Sequence, residues 1–344
     1  MDLAEGISTS LGTFFVIASL AILLFCIVLN LGVIVTVYSG SEPKSPIDFY
    51  ILNLAVCDII SSLFGTISVD NVNMQWNVGA GFCKVSYTMV YCCYSVAIVT
   101  LVAACIERYY GIRRPSRQTH AAVCRKTHVT IPIIWLVSAA LFVVYIYAYG
   151  VRVLTINGES KKVCDEVWEA SSKKYFFLVV PFLALMVLPL LVVAWVWYMT
   201  EQKLNAPRTQ RSSGGNAVLH NKRRRTVRML QFLVLMHYLC WGPTIVLKLI
   251  NVIGSPLRLY WPVWTILELA HYARPLTNPI IYYYLYSSFR KSLRAIVRAC
   301  LPCFDIGRDS TKEGGQSTSS SYGSDGSRMY RYPDDDGNDY CTEM

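Results

Sequence analysis

Charged residues are scarce in this chain of 344 residues: they make up 16% of it, while 54% of the residues are hydrophobic. Soluble globular domains carry roughly 25% charged residues, so the composition leaves no stretch from which a separate soluble domain could fold. Apolar segments take the place of charge, and each is long enough to cross about 30 Å of hydrocarbon. The sequence therefore predicts one membrane domain, with seven spans near 11–38, 47–71, 83–110, 128–149, 175–199, 228–253 and 261–285.

The sequence also lacks internal repeats and the residue sets that enzymes use. A transporter built from duplicated halves would show an internal repeat. An intramembrane enzyme would need a nucleophile with its base, or a metal-ligating set, whereas His237 and His271 lie on separate spans without carboxylates or cysteines at a matching spacing. We therefore predict a chain that is not an enzyme and that holds no metal and no cofactor. A membrane transporter or channel is the alternative from a different class.

The basic residues, which give the chain a net charge of +10, are concentrated in three short stretches. These follow the third span, precede the sixth and follow the seventh, so they lie on one side if each span crosses once. By the positive-inside rule that side is the cytoplasm. The pattern argues against nucleic acid as a partner and predicts a multi-pass plasma-membrane protein with its N-terminus outside and its C-terminus in the cytoplasm. The stretches are 113–126, 222–228 and 290–298.

The two ends of the chain differ in character. Residues 1–10 lack the basic stretch of a signal peptide, so we expect a short extracellular N-terminus and a first span that acts as its own insertion signal. After the membrane domain, at 11–286, residues 287–300 alternate apolar and basic positions at helical spacing, which predicts a helix lying on the lipid of the inner leaflet. Residues 301–344 are rich in serine, glycine and aspartate, and we expect them to be a disordered cytoplasmic tail.

Two cysteines are expected to face the outside. Cys83 begins the third span and Cys164 lies in the longest outer loop, so both would meet an oxidising compartment. Most of the other cysteines fall within spans or on the inner side, where they are expected to stay reduced. A disulfide between Cys83 and Cys164 is therefore predicted.

Two motifs stand at the inner ends of the third and seventh spans. Glu107-Arg108-Tyr places an arginine near hydrocarbon, where it needs a partner, and the adjacent carboxylate can supply one; the alternative is an arginine that snorkels to the interface. In Asn278-Pro279-x-x-Tyr282 the proline frees a backbone carbonyl that lipid cannot satisfy, and we expect the Asn278 side chain to take up that bond. A kinked polar helix end of this kind is what a signalling switch needs.

Comparable motifs recur in each of the seven spans, over about residues 10–300. In their order and spacing the chain resembles the rhodopsin-like (class A) G-protein-coupled receptors. The residues that carry the resemblance are, from the first span to the seventh, Asn30 with Val33, Asn53-Leu54-Ala55-x-x-Asp58, Cys83 with Glu107-Arg108-Tyr109, Trp135, Pro189, Cys240-Trp241-Gly242-Pro243 and Asn278-Pro279-x-x-Tyr282.

The resemblance implies an all-α membrane protein, a seven-transmembrane helix bundle with an amphipathic eighth helix on the inner leaflet. It also implies that an extracellular ligand tilts the sixth helix outward, and that the inner face then drives nucleotide exchange on a heterotrimeric G protein. A receptor-like scaffold without ligand control is a further alternative. The residues expected to couple or to switch are Glu107, Arg108, Tyr109, Trp241, Pro243, Asn278, Pro279 and Tyr282.

Two departures from the family pattern change the expected resting state. At the base of the sixth helix, Arg223 stands where many members place a glutamate that holds Arg108, so we expect elevated basal signalling. Asp58 is present, but Ala97 and Arg274 replace the serine and the asparagine of the family's sodium site. A guanidinium beside a buried carboxylate would take the cation's place, unless Arg274 points into a different water-filled cleft. The expected buried polar core is Asn30, Asp58 and Arg274.

The outer halves of the spans hold the residues that an extracellular ligand would contact. Val90 stands where aminergic receptors have an aspartate and Tyr272 where opsins have a Schiff-base lysine, so neither subgroup fits. Lys248 and Glu268 either neutralise each other or anchor the carboxylate and the amine of a short peptide or small molecule. The residues expected to line the outer cavity are Tyr87, Val90, Tyr91, Tyr94, Thr244, Lys248, Trp264, Glu268, His271 and Tyr272.

The inner end carries three further features. Cys300 and Cys303 follow the amphipathic segment, where palmitate would add an anchor; free cysteines are the alternative. The serines of 317–321 would form a negative patch for arrestin after phosphorylation by a receptor kinase, unless the tail is simply solvated. Residues 341–344 end in the form of a ligand for a PDZ protein.

Overall fold

The apolar stretches fold as long helices in the computed structural model, which describes residues 9–40, 44–69, 76–113, 120–156, 158–167, 176, 179–205, 214–253 and 261–300. A segment in lipid must satisfy its own backbone N–H and C=O groups, and a helix does so. The helices are α1 (Thr9–Ser39), α2 (Pro46–Ser68), α3 (Ala80–Arg113), α4 (His120–Phe142), α5 (Leu188–Asn205), α6 (Gly214–Ile253), α7 (Trp261–Leu285) and α8 (Ser287–Cys300).

Two shorter helical segments extend this set. A single turn, Tyr145–Ala148, continues α4 toward the outside. A π-helical segment, Leu183–Val187, leads into α5. Helix α6 begins at Gly214, well before the predicted sixth span, so it projects beyond the apolar part of its sequence.

Six of these helices, α1 to α6, are long and apolar enough to cross a membrane. The seventh predicted span, α7, is described from its first residue to its last, but it is not apolar enough to be counted with them. Glu268, Arg274 and Asn278 lower its mean hydropathy. It nevertheless packs against α1, α2 and α6 in the same bundle. The seventh helix thus brings charged and polar side chains, among them Arg274 and Asn278, into the bundle.

Helix α3 forms the centre of the bundle. It packs against α2, α4, α5 and α6, and Cys93, Val96, Ala97 and Ile98 along it are fully buried. A helix that is apolar on all sides is one that neighbours surround. The other helices therefore take their positions relative to α3.

The inner end of α2 is fixed to the junction between α7 and α8. Ser45 and Asp48 form a capping box, in which the Ser45 N–H donates to Asp48 Oδ2 over 2.7 Å. The hydroxyl of Tyr286, between α7 and α8, donates to the other oxygen, Oδ1, over 2.7 Å. Helix α8 follows this point and contacts α1 and α7, and its position on the lipid of the inner leaflet stays a prediction.

An antiparallel hairpin covers the outer end of the bundle. Its strands, β1 (Tyr149–Ile156) and β2 (Glu159–Glu166), pair with Val151 opposite Cys164. Gly158 in the turn has φ of +82°, a conformation that glycine adopts without steric cost. The sequence interpretation treated this segment only as a long outer loop.

Candidate functional site

A buried ion pair joins α2 to α7. Arg274 Nη2 lies 2.6 Å from Asp58 Oδ1, and the two side chains are 2% and 0% exposed. The Asn278 Nδ2 donates to the second carboxylate oxygen, Oδ2, over 2.6 Å. The ion pair predicted from the sequence is confirmed, and the alternative, that Arg274 points into a different cleft, is wrong.

The backbone carbonyl that Pro279 leaves without a helical donor is that of Pro275, four residues earlier. The side chain of Asn30 on α1 supplies the missing bond, since its Nδ2 lies 3.3 Å from that carbonyl oxygen and 2.8 Å from the Cys26 carbonyl. The expectation that Asn278 fills this role is wrong, because Asn278 is bound to Asp58. The kink of α7 is therefore held from α1.

The guanidinium of Arg274 also contacts α3. Its Cζ lies 5.0 Å from the ring centre of Tyr94, the geometry of a cation–π contact. Ala97, one turn further along α3, is fully buried and offers no oxygen ligand. The positive charge that balances Asp58 is thus a side chain, and it links α2, α3 and α7.

Tyr94 connects this charge to α6. Its ring lies 5.3 Å from that of Trp241 on α6 and 4.4 Å from that of His271 on α7. Trp241 in turn packs against His237, one turn below it, at 5.5 Å. Among the described residues, Trp241 Nε1 and both His237 nitrogens have no hydrogen-bond partner. Ring packing, which is less directional than hydrogen bonding, is therefore what positions α6 here.

At the inner end of α3 the acidic motif residue binds α4. The Thr127 hydroxyl donates to Glu107 Oε2 over 3.4 Å, and Tyr109 packs against Trp195 with ring centres 5.6 Å apart. Arg108 has no salt bridge to Glu107 within the described part of the chain, and its buried Nε has no hydrogen-bond partner there. This differs from the predicted pairing of the two neighbours.

The inner part of α6 contacts α5 through charge. Arg224 Nη2 lies 3.9 Å from Glu201 Oε2, and the side chains are 40% and 29% exposed. Such exposed pairs contribute about 1 kcal/mol or less. No salt bridge joins α6 to Arg108 in the residues that the structure describes, in agreement with the basic residue that the sequence places at 223.

The tyrosine of the seventh-helix motif lies in the last turn of α7 and packs against α8. Tyr282 is fully buried, and its ring centre lies 6.0 Å from that of Phe289 on α8. Its hydroxyl has no hydrogen-bond partner among the described residues. The motif therefore joins the ion pair above it to the amphipathic helix below.

The predicted disulfide between Cys83 and Cys164 is confirmed, with Cα atoms 5.6 Å apart. A second link lies beside it, because the Trp76 N–H donates to the Lys162 carbonyl over 2.8 Å. The hairpin is thereby held on the outer end of α3, above the residues proposed to line the cavity.

The structure brings part of the predicted ligand set together under the hairpin. Tyr87 stacks on Tyr149 at 4.5 Å, and the Tyr91 hydroxyl lies 3.3 Å from that of Tyr149. The Lys248 ammonium, on α6, contacts the Tyr91 hydroxyl. Sequence reasoning missed Tyr149, whose position depends on strand pairing with no strong local signal.

For the other members of the predicted ligand set, a contact with the ligand stays a prediction. Val90 and Thr244 are buried in the bundle. Tyr272 packs with Leu23 and Val69, on the side of α1 and α2. The side chain of Trp264 lies outside the described residues, as do those of Cys300 and Cys303, residues 1–8 and the whole tail from 301.

The comparison with protein families gives a match over residues 29–282 to the model described as "7 transmembrane receptor (rhodopsin family)". Among curated relatives, neuropeptide FF receptor 1 of Rattus norvegicus is 29% identical over 318 residues, which cover 86% of this chain and 72% of the relative. A QRFP-like peptide receptor of Branchiostoma floridae is 24% identical, over 86% and 80%. Galanin receptor type 1 of Mus musculus is 26% identical, over 83% and 82%.

Proposed function

We propose that this chain, which belongs to the rhodopsin family of seven-transmembrane receptors, is a plasma-membrane receptor that a short extracellular peptide activates. The relatives reported above are, by their names, receptors for neuropeptide FF, a QRFP-like peptide and galanin. The observation that carries the proposal is a set of contacts running through the bundle, from Tyr94 on α3 to Trp241 on α6 and to the Asp58–Arg274 pair.

The signal would pass from the rings to the inner face. A ligand that displaces the Tyr94 and Trp241 rings changes the packing that positions α6, because the Trp241 indole has no hydrogen-bond partner among the described residues that would resist the movement. The inner part of α6 contacts α5 through the exposed Glu201–Arg224 pair, and breaking such a pair costs little. Arg108 would then be accessible to a heterotrimeric G protein, which exchanges its nucleotide.

The orientation and the remaining partners are part of the same proposal. The N-terminus lies outside and the C-terminus in the cytoplasm, since the basic stretches mark the inner side. Palmitate on Cys300 or Cys303 would hold α8 on the inner leaflet. A receptor kinase, arrestin and a PDZ protein would bind the tail. The chain would act by binding its partners rather than by catalysing a reaction of its own.

A membrane transporter or channel is disfavoured as a second function. The two charges in the middle of the bundle, on Asp58 and Arg274, bind each other at 2.6 Å and would offer a transported ion no free site. A scaffold without ligand control would not need Arg108 held at the inner face with its Nε unpaired.

Peptides named for the relatives provide the test of the proposed function. The full chain in cell membranes is exposed to neuropeptide FF, a QRFP-like peptide and galanin, and nucleotide exchange is measured on purified G proteins with different α-subunits. We expect at least one peptide to raise exchange with half-maximal effect near or below about 1 µM, an affinity of about 8 kcal/mol. Membranes without the chain are the control. Activation by a non-peptide metabolite, with no response to any peptide, would contradict the peptide proposal.

A further inference from the structure

A hydrogen bond joins the middle of α6 to the π-helical segment that leads into α5. The Tyr238 hydroxyl on α6 donates to the Met186 carbonyl over 3.1 Å and also lies 3.4 Å from the Leu185 carbonyl. Leu185 and Met186 are both buried. The bond is therefore shielded from water, unlike the exposed Glu201–Arg224 pair nearer the inner end of the same two helices.

These carbonyls need a donor from α6 because of Pro189. Proline has no backbone N–H, so the carbonyl four residues earlier, that of Leu185, has no α-helical donor. The backbone forms a π-helix at this point, over Leu183–Val187, and such segments are frequent at functional sites. Because hydrocarbon offers no water in place of the missing donor, the Tyr238 hydroxyl is what satisfies this part of the backbone.

The position of the bond relative to Pro243 gives it a mechanical role. Pro243 interrupts α6 and leaves the Leu239 carbonyl without a helical donor, so the helix can bend there. Tyr238 lies on the inner side of that bend, and a swing of the inner part of α6 changes its separation from α5. A hydrogen bond weakens steeply outside its usual geometry. The bond therefore belongs to the present arrangement, in which Arg108 Nε is buried.

We infer that Tyr238 is a positioning residue that holds α6 against α5 in the resting receptor, and that removing its hydroxyl favours outward movement of the inner part of α6. The inference rests on the proposed function, because the movement that the bond opposes is the one that would expose Arg108. It adds one directional contact to the ring packing that positions α6 around Trp241.

Removing the Tyr238 hydroxyl while keeping its ring tests the inference on the position of α6 itself. Spin labels on Arg125→Cys in α4 and Arg225→Cys in α6, which replace two exposed side chains, report the separation of the inner helix ends in the purified full chain by double electron–electron resonance. We expect Tyr238→Phe to raise the ratio of long to short separations about threefold to tenfold, the population shift that follows the loss of one hydrogen bond between neutral groups. The labelled chain carries serine at three native cysteines: Cys300, Cys303 and Cys341.

Tyr198→Phe is the matched control. It removes the same hydroxyl from a side chain of α5 that is 63% exposed, so the distribution of separations should equal that of the wild type. A distribution that is also unchanged in Tyr238→Phe would overturn the inference. So would a lower unfolding temperature of Tyr238→Phe without any change in separation, because the residue would then stabilise the fold without positioning α6.

Agonist-free nucleotide exchange, measured per chain at the cell surface, separates this inference from the proposed function. With Tyr238→Phe it should rise by the same factor of about three to ten, while Tyr198→Phe should leave it unchanged. A longer separation that brings no exchange on any G protein would support the positioning role of Tyr238 and contradict the proposed coupling. Increased exchange at an unchanged separation would support coupling and overturn the positioning role.

Discussion

Replacing Arg274 with methionine is expected to lower the free energy of unfolding by about 3–5 kcal/mol, the usual effect of removing one partner from a buried ion pair. Asp58 would keep a charge at a position that is fully buried, and among the described residues the Asn278 amide would be its remaining side-chain donor. Thermal and denaturant unfolding of the purified chain in one detergent, with and without the substitution, would measure the difference.

A second substitution provides the matched control. In the double variant Asp58→Asn with Arg274→Met no buried charge remains, so most of the lost stability should return. Arg152→Met, which removes the exposed partner of Asp165 at 3.5 Å, should change stability by about 1 kcal/mol or less. If Arg274→Met and Arg152→Met had equally small effects, Arg274 would not be the counter-charge of Asp58.

Replacing Arg108 with alanine is expected to remove most G-protein activation, including the exchange that occurs without agonist. The Arg108 side chain lies at the inner end of α3 with its buried Nε unpaired among the described residues, and its hydrogen-bond donors would meet a partner once α6 moves outward. Charge-assisted hydrogen bonds contribute about 1.5–3 kcal/mol each, so losing one should lower the exchange rate about 10- to 100-fold. Nucleotide exchange on purified G protein, at equal amounts of surface chain, measures this.

Arg125→Ala is the control for this substitution. Arg125 is an exposed arginine near the inner end of α4, so its loss removes a positive charge from the same side while Arg108 is retained. We expect exchange to stay near the wild-type rate. Equal rates for wild type and Arg108→Ala would contradict a role of Arg108 in coupling and favour a scaffold without exchange activity.

The features that could be predicted from the sequence are contacts for which a residue has a single partner of acceptable free energy. An arginine within hydrocarbon needs a carboxylate as its counter-charge, and Asp58 is the acidic residue of the second span. The pairing of Arg274 with Asp58 therefore follows from the free-energy cost of burying a charge. Cys83 and Cys164 were likewise confined to each other by the side of the membrane on which they lie. The long apolar helices follow from backbone hydrogen bonding alone.

Other features depended on distances that local sequence does not encode. Asn278 and Asn30 are both amides able to reach the proline kink, and only the packing of α1 against α7 shows that Asn30 does so. The packing of the Tyr272 ring with Leu23 and Val69 likewise depends on how α7 is rotated against α1 and α2. The hairpin forms by strand pairing on the two sides of Gly158. Short segments of mixed charge predict such pairing only weakly, because no apolar alternation sets the register.

The most direct test of the arginine-filled core is the sodium dependence of agonist-free nucleotide exchange. Exchange is measured with about 150 mM sodium chloride and with N-methylglucamine chloride at the same ionic strength. Wild-type exchange should be the same in both salts, because Arg274 already occupies Asp58 at 2.6 Å. The Ala97→Ser, Arg274→Asn double variant, which restores the oxygen ligands, should be slowed by sodium. A wild-type rate that falls in sodium as far as that of the double variant would contradict the replacement of the ion by Arg274.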